Sequence, residues 1–159
     1  MKLYVASPLG FSEAGRQFYY DRLLPRLAAC SCAILDPWTL TDAAKIKAAS
    51  DLPYGVERRE AWRRLGAEIG RNNAAAIAAC DVLFAVLDGP DIDSGTAAEI
   101  GFAFALKKHI VGYRGDFRLA GDNDGAIVNL QVEYFIRQSG GTIVTTLDAI
   151  ADALRAAHS

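Results

Sequence analysis

Short apolar runs alternate with longer stretches in which apolar residues recur at helical spacing, from one end of the chain to the other. Leu3 to Ala6 reads as a buried strand stopped by Ser7-Pro8. From Glu13 to Ala29, Phe18, Leu23, Leu24 and Leu27 share helical spacing, and Pro25 is expected to end or kink that helix. Ala33-Ile34-Leu35 reads as a second short strand, ended by Asp36-Pro37. Val56 to Ala79 has the pattern of a long helix, with Trp62, Leu65, Ile69 and Ile77 on one side. Val82 to Leu87 is apolar almost throughout, as in a strand covered on both faces. A helix over Thr96 to Lys108, a strand over His109 to Tyr113 and a helix over Ile127 to Gln138 follow. A last strand over Thr142 to Thr145 and a closing helix over Leu147 to Ala157 complete the pattern.

Strand and helix alternating in this way favour a parallel sheet with helices on both faces. Right-handed crossovers then make a flavodoxin-like, doubly wound five-stranded parallel sheet of order 2-1-3-4-5 the expected α/β architecture. Two irregular stretches interrupt the alternation. One runs from Asp36 to Gly55 and carries Trp38 and Tyr54; the other runs from Gly112 to Ala126. Long connections in a small domain are usually functional loops, and in open α/β sheets ligands bind beyond the carboxyl ends of the strands.

Composition narrows the class without naming a function. The chain has 159 residues, 52% hydrophobic and 23% charged, which suits one folded domain over residues 1–159 and is too apolar for disorder. A net charge of −2 argues against a general nucleic-acid binder. The three cysteines, Cys30, Cys32 and Cys80, contain no C-x-x-C pair, so neither a disulfide scaffold nor a zinc cage is expected, and a cytoplasmic location fits. No apolar run approaches the roughly 20 residues that span a bilayer, so no membrane partner is expected. His109 and His158 read as structural or solvated, and Cys80 as a core thiol.

The segment from Asp88 to Gly101 concentrates the candidate chemistry, because it follows the central strand and opens a helix. Thr96-x-x-Glu99 has the spacing of a capping box, in which both side chains serve backbone amides, and the aspartates could be turn formers. Alternatively Glu99, in a first helical turn, is held ionised by the helix N-terminus and acts as a nucleophile, with Asp93 as a second carboxylate at the same mouth. Paired carboxylates are the usual equipment for glycosyl chemistry through oxocarbenium-like states. Asp91-x-Asp93 lacks the further ligands of a metal site. No G-x-G-x-x-G, P-loop or G-x-S-x-G motif is present.

Asp93-Ser-Gly-Thr-Ala-Ala-Glu99-Ile-Gly-Phe-Ala, with Leu3-Tyr4-Val5-Ala6-Ser7-Pro8 before it and Asn129-Leu130 after it, resembles the nucleoside 2-deoxyribosyltransferase family. The resemblance runs from Tyr4 to about Leu130. It implies a flavodoxin-like oligomer that exchanges the base of a 2′-deoxynucleoside for a free nucleobase by double displacement, without cofactor or metal. It implies Glu99 as the nucleophile, Tyr4 as the residue that orients it and Asp93 as a holder of the sugar hydroxyls. Gly95 belongs to the same motif. Asn129 matches an asparagine given by a neighbouring subunit to the 5′-hydroxyl, and Gln131 falls where the family often has methionine. A homo-oligomer is therefore expected.

One position departs from the family pattern. Asn73 stands where many members carry an aspartate that protonates or hydrogen-bonds the leaving base, and an amide cannot serve as a general acid. Either Asp91 or Asp116 covers that role, or hydrogen bonds alone activate the base; Asn73 itself could equally be a solvated helix residue. Trp38 or Tyr54 could stack on a base or simply pack a loop. The alternative reading is an N-glycoside hydrolase of 2′-deoxynucleosides or their 5′-monophosphates, although a carboxylate at Asp93 should repel a phosphate. A related phosphoribohydrolase motif shares Gly95-Thr96-x-x-Glu99 but needs a double glycine. A non-catalytic nucleoside-binding module is a further alternative.

Overall fold

The computed structural model describes residues 1–157, so His158 lies outside the described residues. Five parallel strands form one sheet in the order β2-β1-β3-β4-β5. They are β1 (Lys2–Ala6), β2 (Ala33–Leu35), β3 (Val82–Val86), β4 (His109–Tyr113) and β5 (Ile143–Val144). Tyr4 pairs with Leu83 and Ala6 with Ala85. The flavodoxin-like order expected from the alternation is the observed one.

Period-two alternation splits the core into two layers. Tyr4, Ala6, Leu83, Ala85 and Ile110 face one side, where they pack on Ile77 of α4 (Val56–Ala79), Ile100 of α5 (Ser94–Ala105) and Ile136 of α6 (Leu130–Gln138). Leu3, Val5, Phe84 and Val111 face the other. That side is covered by the segment of α1 (Glu13–Phe18) and α2 (Leu24–Ala28), and by α7 (Ile150–Ala156). All five residues of β3 are buried, as its unbroken apolar run requires. The chain leaves β1 towards one face and returns to β3 across the other, so the winding reverses between these two strands, where a crevice opens at their carboxyl ends.

Several expectations need correction. Pro25 does not end the helical segment. The chain widens into a π-helical turn over Tyr19–Leu23, in which the Leu24 N–H donates to the Tyr19 carbonyl, and Pro25 then sits in the first turn of α2, where a missing N–H costs little. The stretch from Asp36 to Gly55 is not wholly irregular: α3 (Ala43–Asp51) lies inside it, started by the Asp42 carboxylate, which accepts from the Ala44 N–H. Its alanine- and lysine-rich sequence has little apolar periodicity to show. The helix expected from Ile127 begins at Leu130, because Asn129 caps it through the N–H groups of Gln131 and Val132. The closing helix starts with a 3₁₀ turn at Leu147–Ala149. Cys80 is buried in the core, as expected, and His109 is partly buried at the start of β4, where burial lowers its pKa.

Candidate active site

The site grows from the alternation of β1. Tyr4 points to the α4–α5 side of the sheet, fully buried, and its phenol donates to Glu99 Oε1 at 2.6 Å. Glu99 comes from α5, but not in the role that its spacing suggests. The helix is capped by Asp93, whose Oδ2 accepts from the Thr96 N–H at 2.9 Å and the Thr96 hydroxyl at 3.3 Å. The capping-box reading with Thr96 as cap is therefore wrong by three residues. Glu99 falls in the second turn, beyond the short reach of the helix dipole. No backbone amide engages it; its partners are side chains.

The expectation that the helix terminus holds Glu99 ionised is corrected for the same reason. Burial pushes its pKa above the ordinary carboxylate value and the nearby Asp93 charge adds to this, while the Tyr4 hydrogen bond pulls it down. The Tyr4 phenol is itself pushed far up, by burial first and then by its bond to Glu99. Asn73, from α4, donates through Nδ2 to the same Glu99 Oε1 at 3.5 Å. Both donors converge on Oε1, and neither engages Oε2. The reading of Asn73 as a solvated helix residue does not hold: it is partly buried, and its Oδ1 is shut off from solvent without a partner.

Beside Glu99 lies a cavity of about 450 Å³ whose walls come from the segments that follow β1 and β2, from α3 and α4, and from the start of α5. Phe11, Trp38 and Trp62 give it an aromatic wall, and Pro37, Ile46 and Ile69 an aliphatic one. Ser7, Thr41, Asn73, Asp93, Thr96 and Glu99 supply the polar groups. Gly95 also lines it; a Cβ there would stand 3.1 Å from Asp93 Oδ2, so the glycine leaves room for the cap. Trp38 is held by the Phe11 ring, edge-on at 4.8 Å, and by Gly10, whose hydrogens face the indole where a Cβ would come within 2.2 Å of Cε2. Tyr54, by contrast, is 92% exposed under the Arg58 guanidinium and takes no part. Phe11, Ile46 and Trp62 were not singled out as site residues from the sequence. They come from segments distant in the chain, and no local motif marks them.

The remaining expected residues lie outside this cavity. Asp91 is exposed and accepts from the Ile92 N–H at 2.8 Å. Asp116 is chelated by the Arg118 side chain, which holds its carboxyl far below the usual range, so it has no proton to give. Asn129 spends its Oδ1 on the α6 cap, and its Nδ2 donates to Asp122 at 3.1 Å. Gln131 is exposed on the same helix. Among the described residues, no group of three or more His, Cys, Asp or Glu could hold a metal ion, and no helix is long and apolar enough to cross a membrane.

Arg114 was also missed. It is 1% exposed and follows β4, where sequence alone suggests a surface cation. Its guanidinium donates to the carbonyls of Leu87, Gly89 (3.1 Å) and Arg118 (2.7 Å), tying the loop after β3 to the loop after β4.

The fold and site define a flavodoxin-like α/β protein with a tyrosine-held carboxylate in a cavity at the sheet's switch point. A family model described as Nucleoside 2-deoxyribosyltransferase matches residues 3–131, and the chain belongs to that family. A comparison with curated protein sequences gave no match. Among solved structures, the fold is similar to a 2-deoxyribosyltransferase from Bacillus psychrosaccharolyticus, with TM-score 0.64 and 21% identity over 96% of this chain and 91% of that one. It is equally similar to a 2-deoxyribosyltransferase from Leishmania mexicana, with TM-score 0.64 and 22% identity over 99% and 97%. A CMP N-glycosidase from Clostridium botulinum shares the fold at TM-score 0.52 and 15% identity over 98% and 99%.

Proposed function

We propose that the chain moves 2-deoxyribose between nucleobases by double displacement at C1′, with Glu99 as the nucleophile. The observation that carries this reading is the 2.6 Å bond from Tyr4 to Glu99 Oε1 beside an aromatic-walled cavity of nucleoside size. In the first half-reaction, an Oε2 electron pair forms the bond to C1′ as the C1′–N bond breaks, and the bonding pair leaves on the base nitrogen. In the second, a nitrogen of the incoming base attacks C1′, the pair of the ester bond returns to Glu99 as carboxylate, and the proton lost by the base passes to water. Tyr4 fixes the carboxylate in its attacking rotamer, so orientation is settled before the substrate arrives. The developing cation on the sugar is met by Glu99 and Asp93, and the base is taken between Trp38, Phe11 and Trp62.

Asn129 and Gln131 lie away from the cavity of their own chain, and we propose that they serve the cavity of a second copy. With Oδ1 committed to the α6 cap, Asn129 can still swing its Nδ2 donor from Asp122 to a sugar hydroxyl. The test is incubation of deoxyinosine with excess adenine, followed by chromatography. Base-swapped nucleoside is the expected product. Free base without transfer would instead make the chain a hydrolase, and no turnover of this or any other 2′-deoxynucleoside would make it a binding module.

A further inference from the structure

We infer that this site expels the base without an acid supplied by the chain, and that its substrates are accordingly 2′-deoxyribonucleosides of good leaving groups, with electron-poor or already cationic bases. The inference rests on the transferase reading above and concerns the leaving group of the same step.

Breaking the C1′–N bond places an electron pair on the base, and an ordinary base needs a proton from a group within hydrogen-bond reach. The proton inventory of the cavity is short. Ser7, Thr41 and Thr96 offer hydroxyls, Trp38 an indole N–H and Asn73 an amide, none of which ionises as an acid under working conditions. Two carboxyls remain. Glu99 must be ionised to attack. Asp93 is engaged as an acceptor at the start of α5, from both the N–H and the hydroxyl of Thr96.

The groups around Glu99 add no further acid. Tyr4 from β1 spends its proton on Oε1, and Asn73 from α4 presents an amide. The segment after β2 and α3 bring Trp38, Thr41 and Ile46 to the wall, all uncharged. Asp91 and Asp116 stand outside the cavity. The base therefore leaves with the bonding pair as its nitrogen anion and takes its proton from water afterwards. A base that was cationic before the step leaves neutral and needs no proton.

The experiment measures kcat/KM of the full-length protein on purine 2′-deoxyribonucleosides whose ring substituents span several units of base acidity. 7-Methyl-2′-deoxyguanosine is included as the cationic member, and every rate is corrected for spontaneous cleavage. The expected result is a steep dependence, about five- to tenfold per unit of leaving-group pKa. The 7-methyl compound should exceed 2′-deoxyguanosine by at least about a hundredfold. Asn73→Asp, which places an ionisable carboxyl at the same wall, should flatten the series and add an alkaline limb to the pH profile. A flat series for the natural protein, or an equally steep one for Asn73→Asp, overturns the inference and leaves the transferase reading standing. Failure to cleave any member, the cationic one included, overturns that reading and the inference with it.

Discussion

Tyr4 and Glu99, 95 positions apart in the chain, share a 2.6 Å hydrogen bond that joins the first strand to the helix after the central one. Neither partner is placed by chance. Parallel pairing sets Tyr4 beside Leu83, on the face that α5 covers, and the Asp93 cap fixes where that helix begins. A one-residue slip of β1 would turn the phenol to the opposite face of the sheet.

Removing only the hydroxyl tests this bond. Tyr4→Phe should keep the fold, since the ring stays in the core, while kcat falls about 10- to 100-fold, as expected for a hydrogen bond to a charged group. Because the phenol pulls the Glu99 pKa down, its loss should also move the acidic limb of the activity profile to higher pH. An unchanged kcat with a profile that keeps its position would assign Tyr4 a packing role only.

Glu99 should cost the native state stability at neutral pH. Its native pKa lies above the ordinary value because it is buried, so the folded protein binds this proton more tightly than the unfolded chain. The stabilising contribution is full below the ordinary value and is lost as pH rises through the native one. Glu99→Gln should therefore raise Tm by a few degrees at neutral pH, with the gain vanishing below about pH 4.5. Melting curves across that range check it. Transfer by the same variant should fall by at least about a thousandfold.

The helix cap made by Asp93 and its proposed contact with the sugar separate by substitution. Asn and Asp cap helices about equally, so Asp93→Asn should retain stability within about 0.5 kcal/mol, whereas Asp93→Ala should lose about 0.5–2 kcal/mol. If the charge also serves the sugar, both variants should lose at least about tenfold in kcat/KM. Denaturant titration and kinetics on the same two proteins separate the roles.

How much of this was legible in the chain follows the range of the interactions involved. Strand positions and sheet order could be read because burial on two faces writes an unbroken apolar run at Val82–Leu87, and crossover handedness leaves few topologies. The Asp93–Glu99 segment stood out because its spacing is local. The choice between Asp93 and Thr96 as cap was not local. Both residue types cap well, and what decides is that Thr96 is buried while Glu99 is drawn to Tyr4. Of the aromatic wall only Trp38 could be suspected, since Phe11 and Trp62 join it only once the sheet is wound. Arg114 reads as a surface cation until three backbone carbonyls surround it.

That buried guanidinium predicts a stability effect without direct chemistry. Arg114→Met would leave the carbonyls of Leu87, Gly89 and Arg118 short of their donor, at about 1–3 kcal/mol for each that water cannot reach. Hydrogen exchange should quicken first in the loops after β3 and β4, before the core strands. Uniform quickening would deny Arg114 its part in joining those loops.

Gly10 offers the sharpest test of the aromatic wall. A methyl group at this position would stand 2.2 Å from Trp38 Cε2 and 2.4 Å from Cδ2, both in the fused part of a rigid indole. The ring must move or the turn over Leu9–Phe11 must open, and either disturbs the Phe11–Trp38 contact. Overpacking of this kind costs about 1–3 kcal/mol. Gly10→Ala should therefore raise KM for the base and shift the tryptophan emission, while the Tyr4–Glu99 pair, built from β1 and α5, stays intact. Any fall in kcat should accordingly be smaller than the rise in KM. Equal effects on both would mean that the wall and the Tyr4–Glu99 pair are mechanically coupled through Ser7, which follows β1 and lines the same cavity.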